Sequence, residues 1–370
     1  MAKCVVGTPS KIAIGSLLGL SAGSVATWFF TRRSAEENAV ADVSSHACSR
    51  HGLPISERVR AYSDMVLAVD PAMRNPRWVV EHLTKESLSA KAGTRESSVF
   101  YEDPELPARF RAKLSDYRGS GFDRGHMAPA SNHKTSQDAM NDTFTLSNMC
   151  PQVGEGFNRD YWARFEKFAR DATNEYDDVW IVTGPLYVPR PSPAGWVMDH
   201  RMLGSPPELV GVPTHFFKVV LGEKKKGIAS SSSDYALAAF VMPNAPIKPQ
   251  HPLAAFTVPL TALEEVSGIQ FFPKLVDDAA RHAVDVSAIQ WQRRGAIEAG
   301  KAVRAIAGGQ PPLLLPAPEP APAKRGGRGR EAAQQAAAQA ATPATTDVLI
   351  AHLCDRVTCS LPAEEFWKKK

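Results

Sequence analysis

The stretch SGFDRGHMAPASNHK, residues 120–134, sets Asp123, Arg124, Gly125 and His126 side by side. A neutral imidazole near pH 7 can take a proton from water, which makes His126 the candidate general base. Arg124 beside it carries a planar donor fork that suits phosphate. Gly125 permits a backbone approach closed to larger residues, and Pro129 stiffens the exit of the loop. Taken alone, the stretch could equally be a structural loop closed by an Asp–Arg ion pair. His133 reads as a surface histidine, with a place near phosphate as its other reading.

A second segment, residues 143–176, reads TFTLSNMCPQVGEGFNRDYWARFEKFARDATNEY. Phe157, Tyr161, Phe165 and Phe168 recur at i, i+4, i+8 and i+11, so the spacing predicts an amphipathic helix over 157–172. Asn158, Trp162 and Glu166 follow one another at four-residue steps and fall in a stripe about 80° wide. Asn158 and Glu166 therefore point to a shared side. A hard cation such as Mg²⁺ takes oxygen ligands and keeps most of its waters. One amide oxygen plus a substrate phosphate would suffice, with Glu166 holding a water of the cation. On spacing alone, a capping Asn and a solvated Glu account for the pattern more simply.

These residues need a frame. VWIVTGPLYV (179–188) is β-branched and aromatic and ends in Gly-Pro, which predicts a strand running into a turn. THFFKVVLG and ALAAFVMP predict a hairpin over 214–243 with a polar tip. PLTALEEVSGIQFF (259–272) predicts a short helix that stops at Gly268 and turns into a strand. Residues 51–307 show no low-complexity break and read as one globular domain, preceded by a polar linker at 34–50. Residues 308–346, rich in Pro and Ala with the basic patch KRGGRGR, cannot bury enough surface to fold. Residues 347–370 regain apolar content and are expected to return to the domain as a short helix, a turn and a strand.

The formal charge of +4 and pI of about 8.7 are compatible with a polyanionic partner without establishing one. Five cysteines without a CxxC spacing exclude a disulfide framework and disfavour structural zinc; Cys354 and Cys359 are expected to be reduced packing residues. Residues 12–30 carry no charge and are flanked by Lys3, Lys11, Arg32 and Arg33. They fit a signal anchor, a presequence removed on import, or a secretory signal peptide. The absence of acid before Glu36 favours a mitochondrial presequence or inner-membrane anchor within 1–33.

Together, DRGHMAPA, TFTLSNMCPQ, FNRDYWARFE and VTGPLY resemble the DNA/RNA non-specific endonucleases of the endonuclease G type. DYRGSGFDRGH, VPTHFFKVVL, FVMPNAP and LEEVSG are similar to the mitochondrial, eukaryotic branch. The likeness runs in order over about residues 50–275 and is recovered at HLCDRVTCSL. It implies an α+β fold: a ββα-metal finger set in a central mixed or antiparallel β-sheet flanked by helices. It implies His126 as general base, Asn158 as the one protein ligand of Mg²⁺ (or Mn²⁺), and Glu166 as the acid orienting water on that metal. Asn148 would line the site and fix the histidine or the metal's surroundings. Arg124 would stand beside the base, and Arg95, in GTRESSVF, would neutralise charge on the phosphate. Glu264 lies in a family-like segment, where an exposed helix Glu is the simpler reading.

The implied activity is metal-dependent hydrolysis of DNA and RNA backbones, leaving 5′-phosphate and 3′-hydroxyl ends. The resemblance further implies a homodimer in the mitochondrial inner membrane or intermembrane space, with relocation to the nucleus as a second location. SNHK departs from the family's pattern, VGEGFNRD differs in length by one residue from secreted members, and the 308–346 insertion has no counterpart. The competing reading is a catalytically weak nucleic-acid-binding or membrane-tethered scaffold on the same fold, against which the intact His126, Asn158 and Glu166 argue. A hydrolase of small phosphodiesters is disfavoured by the two arginines and the basic balance.

Overall fold

A computed structural model describes residues 47–51, 54–226, 233–305 and 350–363. The chain divides into two units, 1–55 and 56–370. In the first, a 3-10 turn at Ala47–Ser49 is described. The uncharged segment 12–30, most of the 34–50 linker, the tip of the 214–243 hairpin and the 308–346 insertion lie outside the described residues. Among the described residues, no helix is long and apolar enough to cross a membrane.

The second unit is α+β. Its strands in chain order are β1 Arg58–Ala61, β2 Met65–Asp70, β3 Asn75–Leu83, β4 Asp123–His126, β5 Met149–Gln152, β6 Asp178–Leu186, β7 Arg190–Ser192, β8 Gly195–Val197, β9 Met202–Ser205, β10 Glu208–Gly211, β11 His215–Lys225, β12 Ser233–Pro243, β13 Thr257–Val258 and β14 Ile350–His352. The described α-helices are α1 Lys85–Ser89, α2 Leu114–Tyr117, α3 Gln137–Asp142, α4 Ala163–Asp171, α5 Leu260–Ser267 and α6 Asp278–Ala305.

The central sheet runs β1-β2-β3-β6-β11-β12-β13 in antiparallel pairs, and β14 adds to β12 in parallel. Its long strands are β-branched and aromatic, as a sheet buried on both faces requires. Along β11 the side chains alternate: Phe216 and Val220 join the aromatic cluster around Phe157, Trp162, Phe165 and Phe240. Phe217, Val219 and Leu221 join the opposite cluster, over which α5 and α6 pack.

The β4–β5 ribbon stands apart from this sheet, and the helix beginning at Phe157 follows it; strand, strand and helix form the ββα finger. Phe157, Tyr161 and Phe165 are fully buried and Phe168 nearly so, as the period requires. The helix is not uniform. Glu155 and Gly156 leave helical geometry, Gly156 at φ 76°, and the Asn158 N–H reaches back to the Val153 carbonyl at 2.9 Å in a wide turn.

Three expectations are corrected, and one helix is added. After Gly268, which ends α5 in the left-handed region at φ 65°, no strand follows; the chain turns into α6. That helix was not foreseen, because its buried stripe is mostly small: Ala280, Val284, Ala288 and Ala299. A Cβ on Gly295 of α6 would meet the Ala255 backbone nitrogen at 2.2 Å, so helix and chain touch through a glycine. The return segment arrives as a strand followed by the 3-10 turn Leu353–Asp355, the reverse of the expected order. Finally, Cys354 and Cys359 are disulfide-bonded, with Cα atoms 5.2 Å apart, because the 3-10 turn folds them together.

Candidate active site

The candidate base, His126, sits at the end of β4. In the ribbon, His126 pairs with Met149, Gly125 with Cys150 and Asp123 with Gln152. A Cβ on Gly125 would fall 1.9 Å from Gln152 Oε1, so any larger residue here would have to displace the buried Gln152 side chain. Alternation sends Arg124 and His126 to one face and Asp123 to the other. On the first face, the Arg124 guanidinium lies 4.2 Å over the Phe100 ring. The His126 ring is 5.7 Å from Phe100 and meets Phe144 edge-on at 5.1 Å. Arg95 stacks over the same Phe144 at 5.6 Å. Two aromatic rings thus gather Arg95, Arg124 and His126.

The His126 ring is half-buried, but its Nε2 is shielded and has no hydrogen-bond partner. Burial, then the positive charge of Arg95 and His133, hold the imidazole down to about 3, so it is neutral at ordinary pH. Asn148 is fully buried and clamps the loop that follows. Its Oδ1 accepts the Ala128 N–H at 2.9 Å, and its Nδ2 donates to the carbonyls of Ala128 (2.9 Å) and Thr143 (2.8 Å). These bonds occupy the amide, so Asn148 positions the base loop.

Asn158 is half-buried. Its Nδ2 donates to Asp123 Oδ2 at 2.9 Å, which fixes the amide and leaves Oδ1 as its free acceptor. Asp123 also accepts from Arg159 Nε (2.8 Å) and Nη2 (2.5 Å). Burial works against its charge, yet the bonds from Arg159 and Asn158 hold the carboxyl below its ordinary value. Burial pushes the Glu166 carboxyl up to about 7; Lys218, Arg170 and Arg95 oppose that rise and Glu81 adds to it. Arg95 acts on both His126 and Glu166, so the three share one electrostatic environment. Among the described residues, no group of three or more His, Cys, Asp and Glu side chains is placed to hold a metal. The Asn158 amide, held by Asp123, leaves its Oδ1 as an oxygen that a hard cation could take.

The profile of the DNA/RNA non-specific endonuclease family matches residues 44–278. The chain belongs to that family. It is 40% identical over 287 residues to the mitochondrial nuclease of Saccharomyces cerevisiae, covering 72% of this chain and 87% of that one. It is 52% identical over 202 residues to nuclease 1, mitochondrial, of Schizosaccharomyces pombe, covering 54% of this chain and 62% of that one. The crystal structure of the EndoG/EndoGI complex contains a chain that superimposes with a TM-score of 0.56 at 41% identity, covering 61% of this chain and 90% of that one.

In this endonuclease, two expected positions change. His133 is 1% exposed, not on the surface, and its Nε2 lies 2.9 Å from Glu81 Oε1. Glu264 is no exposed helix residue: it accepts the Phe271 N–H at 2.8 Å and pairs with Arg281 Nε at 2.9 Å, tying α5 to α6. Three side chains of this endonuclease's site were missed. Arg170 donates to Ser131 Oγ (2.8 Å) and Asn132 Oδ1 (3.1 Å), holding the exit of the base loop. It lies four residues after Glu166, a spacing that could have revealed it. Glu81 and Lys218 interrupt the apolar runs WVVEHL and FFKVV, and a charge inside such a run was their signal.

Proposed function

We propose that this endonuclease cleaves DNA and RNA without regard to the sugar, with Mg²⁺, or Mn²⁺ in its place, held by Asn158 and with His126 as general base. The observation that carries the reading is the convergence of Arg95, Arg124 and an unpartnered His126 Nε2 on the Phe100–Phe144 wall. His126 Nε2 takes a proton from water as the oxygen of that water bonds to phosphorus. The bond from phosphorus to the 3′ oxygen breaks, and that oxygen takes a proton from solvent water, leaving a 5′-phosphate and a 3′-hydroxyl. Arg95 and Arg124 neutralise the phosphate oxygens while this occurs. The low value of the free imidazole keeps its lone pair available, and a phosphate beside the ring adds the negative charge that raises its basicity. Asn148 holds the loop behind the base.

The donor set fits a hard divalent cation: an amide oxygen oriented by Asp123, with Glu166 two turns further along the same helical run to orient water. When bound, the cation supplies positive charge for the phosphate and the departing oxygen. No side-chain set for reading bases is evident, so binding rests on the backbone and weakens steeply with salt. The yeast relatives are named mitochondrial, and we place this endonuclease in the mitochondrion, at the inner membrane or in the intermembrane space, as a homodimer.

The test is nicking of supercoiled plasmid by the full chain, with Mg²⁺ or EDTA, beside His126→Ala and Asn158→Ala. Metal-dependent nicking lost in both variants supports the assignment. Activity surviving His126→Ala overturns the base, and a wild type that binds DNA without cutting it points to the scaffold.

A further inference from the structure

The loop that leaves His126 is held at both ends. At its start, Asn148 bonds the N–H and the carbonyl of Ala128. At its end stands Glu81, a carboxyl in the interior of the central sheet. Glu81 lies on β3 between Met65 of β2 and Ile181 of β6 and is 1% exposed. Its Oε1 accepts from Asn132 Nδ2 at 2.7 Å and lies 2.9 Å from His133 Nε2. Its Oε2 is shielded and has no hydrogen-bond partner, so the hydrogen bonding of this carboxyl is directed at the loop. Asn132 and His133 are themselves 3% and 1% exposed, where water does not stand in for a lost partner. One residue on, the Lys134 carbonyl accepts the N–H groups of Ala92 (3.0 Å) and Gly93 (3.2 Å), just before the 3-10 turn Arg95–Ser97. The stretch that Glu81 holds therefore leads back to His126 on one side and across to Arg95 on the other.

We propose that Glu81 is a positioning residue: bonded to Asn132 and His133, it fixes against the central sheet the loop that sets His126 and the approach of Arg95. β3 is paired on both sides at this point, so the carboxyl has a fixed place from which to hold a loop. An ionised carboxylate only accepts, so the hydrogen of His133 lies on Nε2 and both bonds run from loop to sheet. Without them, two buried donors lose their acceptor, and residues 132–133 must shift to find another. A shift of about 1 Å at a reacting group can lower turnover by about 100-fold. The role belongs to the bonds and not to the charge, so an amide whose oxygen occupies the place of Oε1 should serve. The inference rests on the roles proposed for His126 and Arg95, but part of its test does not need turnover.

Full-length wild type, Glu81→Gln and Glu81→Leu are compared in plasmid cleavage at saturating Mg²⁺, in DNA binding with EDTA, and in ¹H–¹³C spectra of protein labelled at the histidine ring. The His126 signal is assigned by its loss in His126→Gln. Glu81→Gln removes the charge and keeps an acceptor; Glu81→Leu removes both. Glu81→Leu should lower kcat by about 10–100-fold, change DNA binding by less than about threefold and move the His126 signal. Glu81→Gln should keep kcat within about threefold and leave that signal near its wild-type place. A folded Glu81→Leu that cuts like wild type overturns the proposal, as do equal losses in the two variants or a loss of kcat with the His126 signal unmoved. If Glu81→Leu does not fold, His133→Leu decides, because it removes one of the two bonds: a lower kcat supports the anchor and an unchanged one overturns it. If wild type does not cut nucleic acid, the functional reading fails and the spectra decide: a His126 signal moved in Glu81→Leu but not in Glu81→Gln supports the anchor, and an unmoved one overturns it.

Discussion

Removing the carboxylate of Asp123 should cost this endonuclease its metal affinity more than its fold. Asp123 receives three bonds, one from Asn158 Nδ2 at 2.9 Å and two from Arg159. The Arg159 side chain is 68% exposed, so that pair contributes no more than about 1 kcal/mol. The bond from the half-buried Asn158 amide to a charged acceptor contributes about 1.5–3 kcal/mol. In Asp123→Ala the amide can rotate and present its nitrogen in place of its oxygen. Loss of such an outer partner lowers metal affinity by about 10–100-fold. We therefore expect the half-saturating Mg²⁺ concentration to rise by about that factor. Arg159→Ala, which leaves the Asn158 bond, should raise it by less than about fivefold. Plasmid nicking over a Mg²⁺ series measures the requirement, and Mn²⁺ calorimetry measures affinity without turnover. Equal effects of the two variants would show that Asp123 acts through Arg159 and refute the reasoning, as would an unchanged requirement in Asp123→Ala.

Glu166→Gln should change stability with a defined sign. The folded carboxyl titrates at about 7 against an ordinary value of 4.5, so the native state binds the extra proton between them. Wild type loses stability as pH rises through that window, and the advantage of Glu166→Gln in thermal melts should grow from pH 4.5 to 7 and level off above it. His126 has the opposite sign: its folded value of about 3 lies below 6.5, so its penalty is absent above 6.5 and grows as pH falls. His126→Gln should therefore flatten the acid side of the stability curve between pH 3 and 6.5. Gly125→Ala should push Gln152 from its place in the ribbon, costing about 1–3 kcal/mol in denaturant melts together with nicking activity. Asn148→Ala leaves two carbonyls and one N–H without partners, and should cost about 2–4 kcal/mol by the same measure.

What could be read without the fold was local. The aromatic period over 157–168 marks the helix because one face of it must be apolar, and the structure buries those four side chains. The β-branched runs at 179–186 and 215–221 mark strands for a related reason, since both faces of this sheet are covered. The strand after Gly268 failed because a short apolar run, IQFF, carries no neighbour with which to pair. Helix α6 escaped because alanines and a glycine pack by close approach and leave little hydrophobic contrast.

By itself, the sequence determined which chemistry could be assembled: an imidazole after a glycine, arginines near it, and an amide and an acid two turns apart on one helix. Tertiary structure alone decided how those groups behave. It brought Arg95 over Phe144, turned the Asn158 amide by means of Asp123, buried His133 on Glu81 and set Lys218 over the Trp162 ring. The physical reason is that periodicity reports only which face of one element is covered. The partner of a buried charge is chosen by the register of strands far apart in the chain, and by the low dielectric that makes an unpaired charge there too costly to keep.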